Sequence, residues 1–292
     1  MDAYFNLPDF YLNPRTYILL FDLKQHHPEI FLPNTEIASI FGCVPNAIWN
    51  GGGIQLSNQF LLRNDLQELK TLYNDQLNVP LRWTFTNRLI SEHECYDTYC
   101  NLIAEIFHNG KNEILVSSPI LERYLKEHYP NYRYCRSILA AEDIYYDPSY
   151  NLTVLKRIKN NQWDYLDSIP QEDRKKIELL CNDLCPANCY LMYQDYLDYS
   201  KVQLRFSPTE FPPCKALDAR SDFERFTART KNKTYITREL IDKEYLPRGF
   251  QQFKLAGRCS LGTAIGNIME YLIKPEYWID MVNMFIQENL QT

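Results

Sequence analysis

No apolar run in the 292 residues reaches the length needed to span a bilayer. The N-terminus, Met1-Asp2-Ala3-Tyr4-Phe5, is acidic and aromatic and lacks the basic, apolar pattern of a signal peptide. These absences predict a cytoplasmic protein without membrane contact. Glycine is scarce, at 9 residues. There is no glycine-rich phosphate fingerprint, Walker-type loop, serine nucleophile elbow or His-Glu-x-x-His pair. Nucleotide cradles, the common serine hydrolase layout and zincin chemistry are thereby disfavoured. Histidine is confined to positions 26, 27, 93, 108 and 128. An excess of positive charge is missing too: 31 Lys and Arg against 37 Asp and Glu give a formal charge of −6. That balance argues against a protein that coats polyanions, though it leaves room for a local basic groove.

What the chain does have is aromatic bulk, with 22 Tyr and 15 Phe, and nine cysteines. The aromatics fit a globular chain and not a disordered one. Nine thiols without a secretory signal point to a reducing compartment, where they are free or bound to metal. Their spacing is uneven: Cys43, Cys95, Cys100 and Cys135 are scattered, Cys181, Cys185 and Cys189 cluster, and Cys214 and Cys259 follow. An odd count with this clustering disfavours a disulfide framework.

The hydrophobic pattern alternates short apolar runs with helical stretches. Residues 37–41, 79–86, 113–116, 132–138, 152–155, 177–180, 234–237 and 252–256 read as strands. Helices are expected over 14–26, 64–75, 95–108, 120–127, 140–145, 160–167, 238–245, 262–272 and 275–289, with an irregular crossover over 190–232. Eight such units match an α/β chain closed as a (β/α)8, TIM-like barrel; an open doubly wound sheet lacks its phosphate fingerprint here. Residues 1–33, rich in proline and aromatics, read as an N-terminal extension, and 34–292 as the barrel domain.

Barrel chemistry sits at the C-terminal strand ends. This selects Cys43, Asn87, Arg88, Ser117, Ser118, Ser137, Lys156, the 181–189 segment, Arg238 and Arg258. Asn87, Ser117, Asn182 and Arg258 are the expected substrate-facing set, Arg258 suiting an anionic group through its fork of donors. Cys-x3-Cys-x3-Cys at 181–189 sits where a strand delivers its chain to a loop, and three thiols there are close enough to share one metal ion or cluster. They are equally compatible with three ordinary thiols. Trp49-Asn50-Gly51-Gly52-Gly53 admits either a close ligand approach or a turn. A cysteine hydrolase with Cys43 or Cys185 as nucleophile and His93 or another histidine as base has no local signature. Arg82, Arg88, Arg133, Arg136, Lys156 and Arg157 are the candidates for a nucleic-acid patch.

From Lys176 onward the features follow a family pattern. Ile177-Glu178-Leu179-Leu180 leads to Cys185 and Cys189; Cys214 follows an irregular stretch; then come Thr234-Tyr235-Ile236-Thr237-Arg238-Glu239-Leu240 and Gly249-Phe250-Gln251-Gln252-Phe253-Lys254-Leu255-Ala256-Gly257-Arg258. This order resembles the collagenase-like peptidase family, over about the last 115 residues. Its better understood members are oxygen-independent hydroxylases of tRNA, ribosomal RNA or ubiquinone precursors, several with a four-iron cluster. The resemblance implies a 4Fe-4S cluster on Cys185, Cys189, Cys214 and a fourth cysteine. It also implies hydroxylation of an RNA or a small aromatic molecule. The chain departs from the pattern in four places. Its cysteine pair is closer together, Asn182-Asp183 replaces His-Gly, and Ala256 replaces an acidic residue. No cysteine lies between Lys215 and Arg258, so Cys43, Cys181 or Cys259 must complete the set. The other reading is a barrel that binds a ligand or protein partner, with structural zinc or no metal.

Overall fold

Successive side chains of a strand point to opposite faces, so a strand in a closed ring sends one set outward to the helices and one set inward. The computed structural model, which describes residues 1–140, 146–183, 185, 189, 191–207, 230–257 and 261–290, shows such a ring. Its strands are β1 (Ala3–Pro8), β2 (Thr35–Gly42), β3 (Leu81–Phe85), β4 (Glu113–Val116), β5 (Arg133–Arg136), β6 (Leu152–Val154), β7 (Ile177–Leu180) and β8 (Gln252–Lys254). All pairings are parallel, in chain order, and β8 closes onto β1 through Asn6 opposite Lys254. The helices are α1 (Pro14–His26), α2 (Arg63–Lys70), α3 (Thr98–Ile106), α4 (Pro119–His128), α5 (Trp163–Ser168), α6 (Met192–Arg205), α7 (Arg238–Leu240), α8 (Leu261–Leu272) and α9 (Trp278–Leu290). The expected (β/α)8 barrel is the observed one. Among the described residues no helix is long and apolar enough to cross a membrane.

Two assignments need correction. Residues 1–33 are not an extension: Ala3–Pro8 is the first barrel strand and Pro14–His26 the first helix. Proline at the last strand position and a mixed Tyr4-Phe5-Asn6 core disguise the alternation, yet Phe5 and Leu7 join the outer core. Conversely, residues 234–237 form a turn and an extended lead into α7. They have no place in the ring, because β7 and β8 bond directly, with Glu178 opposite Gln252 and Leu180 opposite Lys254. The helix expected over 140–145 lies almost wholly outside the described residues.

The outward set makes the main core: Leu81, Trp83 and Phe85 of β3, with Ile114, Leu179 and Phe253, are buried against the helices. The inward set is polar. Arg82 on β3 donates from Nε to Glu113 on β4 (2.6 Å) and from Nη1 to Glu178 on β7 (2.5 Å). Its Nη2 reaches Asn6 Oδ1 on β1 (3.1 Å), which also accepts from Ser39 on β2 (2.6 Å). β3 and β7 lie on opposite sides of the ring, so Arg82 crosses the barrel interior. A small apolar cluster of Leu115, Cys135 and Val154 fills the adjoining space. Arg82 is therefore a barrel-centre residue and leaves the proposed nucleic-acid patch. Arg133 and Arg157 of that patch are ion-paired, to Glu113 and Asp183.

Candidate functional site

The C-terminal strand ends are roofed by two segments. The first is the loop after β2, residues 44–53. Asn50, fully buried, accepts from Thr84 Oγ1 on β3 (3.0 Å) and donates to the carbonyl of Gly53 (2.8 Å). The Asn87 backbone N–H donates to the Trp49 carbonyl (2.9 Å). Gly51 lies so close to β3 that a Cβ there would fall 2.4 Å from the Thr86 carbonyl group. Gly51 thus admits the backbone of the chain leaving β3. Gly51→Ala is expected to destabilise the fold by about 1–3 kcal/mol in urea unfolding, because the obstructing atoms are backbone and cannot rotate away.

The second segment is α6, inside the stretch read as irregular crossover. Tyr193, Tyr196, Ser200 and Gln203 recur at helical spacing and form its inner stripe. Gln203 Nε2 donates to the carbonyls of Ala47 (3.1 Å) and Gln55 (2.9 Å). The Ser200 carbonyl accepts from Asn87 Nδ2 (3.2 Å), and Ser200 Oγ accepts from the Arg88 N–H (3.4 Å). At the other end Tyr193 lies against two cations, with the Arg88 guanidinium 5.3 Å and the Lys156 ammonium 5.7 Å from its ring centroid. Arg88 follows β3 and Lys156 follows β6, three strands apart, so Tyr193 stands over the barrel opening. Each cation–ring contact is worth about 0.5–1 kcal/mol at a half-exposed site. α6 is a strap that runs across the mouth from β6 to the β2 loop.

Beneath the strap, Lys254 on β8 is 8% exposed with its ammonium 4.0 Å from the Phe41 centroid on β2. Thr86, 1% exposed and continuing the inward alternation one residue past β3, has a hydroxyl with no hydrogen-bond partner. Arg157 beside β6 is ion-paired to Asp183 beyond β7. Burial pulls the Arg157 guanidinium down, but Asp183 and Cys185 outweigh it and hold the group above its ordinary value.

The expected site residues divide sharply. Asn87 spends its side chain on the Ile48 and Ser200 carbonyls and the Leu89 N–H. Ser117 donates to the Thr86 carbonyl (2.8 Å). Asn182 accepts from the Ala256 N–H (2.6 Å) and donates to Asn267 Oδ1 on α8 (2.6 Å); Asn267 in turn donates to the Ala256 carbonyl (2.7 Å). Gly257, at φ +116° and pressed on Thr263, completes this clip at the end of β8. All three side chains brace the mouth. Arg258, the fourth, lies outside the described residues. Arg238 is a clamp in the helix layer, donating to Thr35 (2.6 Å) and the Tyr271 carbonyl (2.8 Å), and does not face the mouth.

Of the expected thiols, Cys43 and Cys181 lie in the helix-side core. Cys181, just past β7, is buried in the outer core, and burial, then Glu178 and Glu270, push its pKa well up, which keeps it a neutral thiol. Cys43 is buried in the outer core beside Tyr99 and Cys100 of α3. Cys185 and Cys189 are half-buried on the loop leaving β7. The Cys185 N–H donates to Asp183 Oδ1 (3.2 Å), and the Cys189 carbonyl accepts from the first residue of α6 (3.4 Å). Cys214 and Cys259 lie outside the described residues. Among the described residues no three Cys, His, Asp or Glu side chains form a metal-binding group. No histidine supports a hydrolase: His26 and His128 end helices, His27 and His108 follow them, all at the end of the barrel to which the helices return, and the His93 side chain is 95% exposed.

Sequence reasoning singled out Arg88 and Lys156 but missed Tyr193, Thr86 and Lys254. The inward alternation of Arg82, Thr84 and Thr86, and the spacing of Tyr193, Tyr196, Ser200 and Gln203, are the signals that point to them. No family model and no curated protein matches the chain. Its fold is similar to a solved structure described as that of the U32 peptidase Mk0906. That likeness has a TM-score of 0.49 at 12% identity, over 88% of this chain and 93% of that one.

Proposed function

We propose that the chain is a β/α-barrel enzyme acting on a small substrate at the C-terminal mouth, beneath α6. The strap carries this reading: one helix anchored on both sides of the opening shields the strand ends from water, as chemistry on a reactive species requires. The polar brace under it, Asn87, Ser117 and Asn182, holds the strand ends rigid, which preorganises whatever group binds there. A small substrate is favoured over RNA because Arg82, Arg133 and Arg157 of the expected patch are committed to internal carboxylates.

The proposed cofactor is a 4Fe-4S cluster. The fit is partial among the described residues: Cys185 and Cys189 offer two half-buried sulfurs on one loop. With Cys43 and Cys181 in the helix layer, Cys214 and Cys259 are the remaining candidates for the other two. Bound there, the cluster would supply one-electron chemistry for a hydroxylation. The chain's own contribution is to exclude water with α6 and to position the loop through Asp183 and Arg157.

Anaerobic purification with an absorption spectrum and metal analysis tests this. The expected result is a brown protein with about four irons per chain. The Cys185→Ser/Cys189→Ser double variant should be colourless and still folded by circular dichroism. Zinc, or no metal, in the anaerobic wild type replaces the redox enzyme with a ligand-binding barrel.

A further inference from the structure

We propose that α6 is a lid, which lifts off the barrel mouth to admit a ligand and closes over it. The inference rests on the mouth being the working site and adds how that site is reached.

Thr86, Asn87, Ser117 and Ser137, each just past the end of its strand, are all buried. A molecule acted on there has no way in unless part of the roof moves. The two roofing segments differ in what holds them. The loop after β2 sinks Val44, Ala47, Ile48 and Trp49 into the outer core and seats Gly51 on the chain leaving β3. Moving that loop would bring large apolar side chains into water. α6 has one buried apolar side chain, Val202; its other buried residues, Ser200 and Gln203, are polar. Hydrogen bonds fasten it to the rim, from Gln203 to the Ala47 and Gln55 carbonyls and from Asn87 Nδ2 to the Ser200 carbonyl. Water replaces such bonds at small net cost, so α6 is the part of the roof that opens short of global unfolding. The contrast is α8, which buries Ala264, Ile265, Ile268, Met269, Tyr271 and Leu272.

The closed arrangement also carries an internal penalty. The Thr86 hydroxyl and both polar groups of the Gln55 side-chain amide are buried without a hydrogen-bond partner among the described residues. Gln55 abuts the lid, its backbone N–H donating to Gln203 Oε1 (3.0 Å). Opening hydrates these groups, and a ligand that pairs with them instead draws the lid shut.

Native-state hydrogen exchange of the whole protein, read by mass spectrometry in rising urea, tests the proposal. In the wild type the α6 amides should exchange as one unit, about tenfold or more faster than those of α8. Gln203→Ala, which deletes two bonds to the rim, should speed α6 exchange about tenfold. Thr86→Val and Gln55→Leu remove groups that only the open form hydrates, and each should slow α6 exchange about fivefold. That direction separates a lid from a helix that merely frays, which would be indifferent to Thr86 and Gln55. Lys201→Gln, on the exposed part of α6, should change the rate by no more than about twofold. Melting curves establish that each variant is folded, and the comparison of α6 with α8 needs no variant. Exchange of α6 no sooner than α8, or its indifference to both Thr86→Val and Gln55→Leu, overturns the proposal. The measurement requires neither iron nor substrate. Opening of α6 in an iron-free protein leaves the lid standing without the redox enzyme. Iron with an α6 that exchanges only on global unfolding does the reverse.

Discussion

Replacing Arg82 by alanine is expected to destabilise the fold by about 3–5 kcal/mol, the usual result of removing one partner from a buried ion pair. Arg82 is fully buried and joins β1, β3, β4 and β7 through Asn6, Glu113 and Glu178. Burial pulls its guanidinium down, but Glu113 and Glu178 outweigh that and hold it well above its ordinary value, so it is charged at any working pH. Truncation leaves the Glu178 carboxylate, one of whose oxygens is already unpartnered, without its cation in the barrel, and leaves Glu113 with Arg133 alone. Urea unfolding measures the loss. The control separates charge from volume: Arg82→Met combined with Glu178→Gln and Glu113→Gln removes the orphaned charges and should recover most of the stability. If the triple variant is as weak as Arg82→Ala, packing and not the ion network holds the centre.

Arg82 also shows where sequence reading stops. The alternation in Leu81-Arg82-Trp83-Thr84-Phe85 marks a strand with an apolar and a polar face. In an open sheet covered on one side the polar face meets water; in a closed ring it meets itself. Only closure tells which, and closure is a property of all eight strands together. The rhythm of short runs and helices carried the ring, and with it the address of Arg88 and Lys156, because both follow strands whose apolar pattern is strong. β1 was hidden because Pro8 and Asn6 break the run that Phe5 and Leu7 would otherwise announce. The counterfeit strand at 234–237 has β-favouring residues, yet its Ile236 N–H goes to the Cys181 carbonyl as part of a loop.

α6 was illegible for a different reason. Its inner stripe is built from Tyr, Ser and Gln whose partners include loop carbonyls and two cations, so hydropathy carries little of it. The cysteine spacing did not tell which layer Cys181 would join. Cys181 and Asn182 are neighbours on one strand end and must face opposite ways. Cys181 falls on the helix side, and the chain then turns into the loop that carries Cys185, where strand alternation no longer applies.

Asn182 distinguishes a brace from a substrate contact by experiment. Its two ends hold the Ala256 N–H and Asn267 Oδ1, and Asn267 holds the Ala256 carbonyl, so both polar groups of that peptide unit's residue are fastened beside Gly257. Asn182→Leu removes the side-chain partner of the half-buried Ala256 N–H and one partner of the buried Asn267 amide, at about 1–3 kcal/mol for each group left unsatisfied. The expected loss is about 2–4 kcal/mol, read by thermal or urea unfolding. Asn267→Leu should cost a similar amount. Because the two side chains act on one backbone residue, the Asn182→Leu/Asn267→Leu double variant should cost clearly less than the two single losses added, with a coupling of about 1 kcal/mol or more. A substrate contact predicts the opposite pattern: unchanged melting, weakened ligand binding, and no coupling to Asn267. Since the clip sets the direction in which the chain leaves β8 toward Arg258, loosening it should also weaken anything that binds at the mouth, in step with the stability loss and not beyond it.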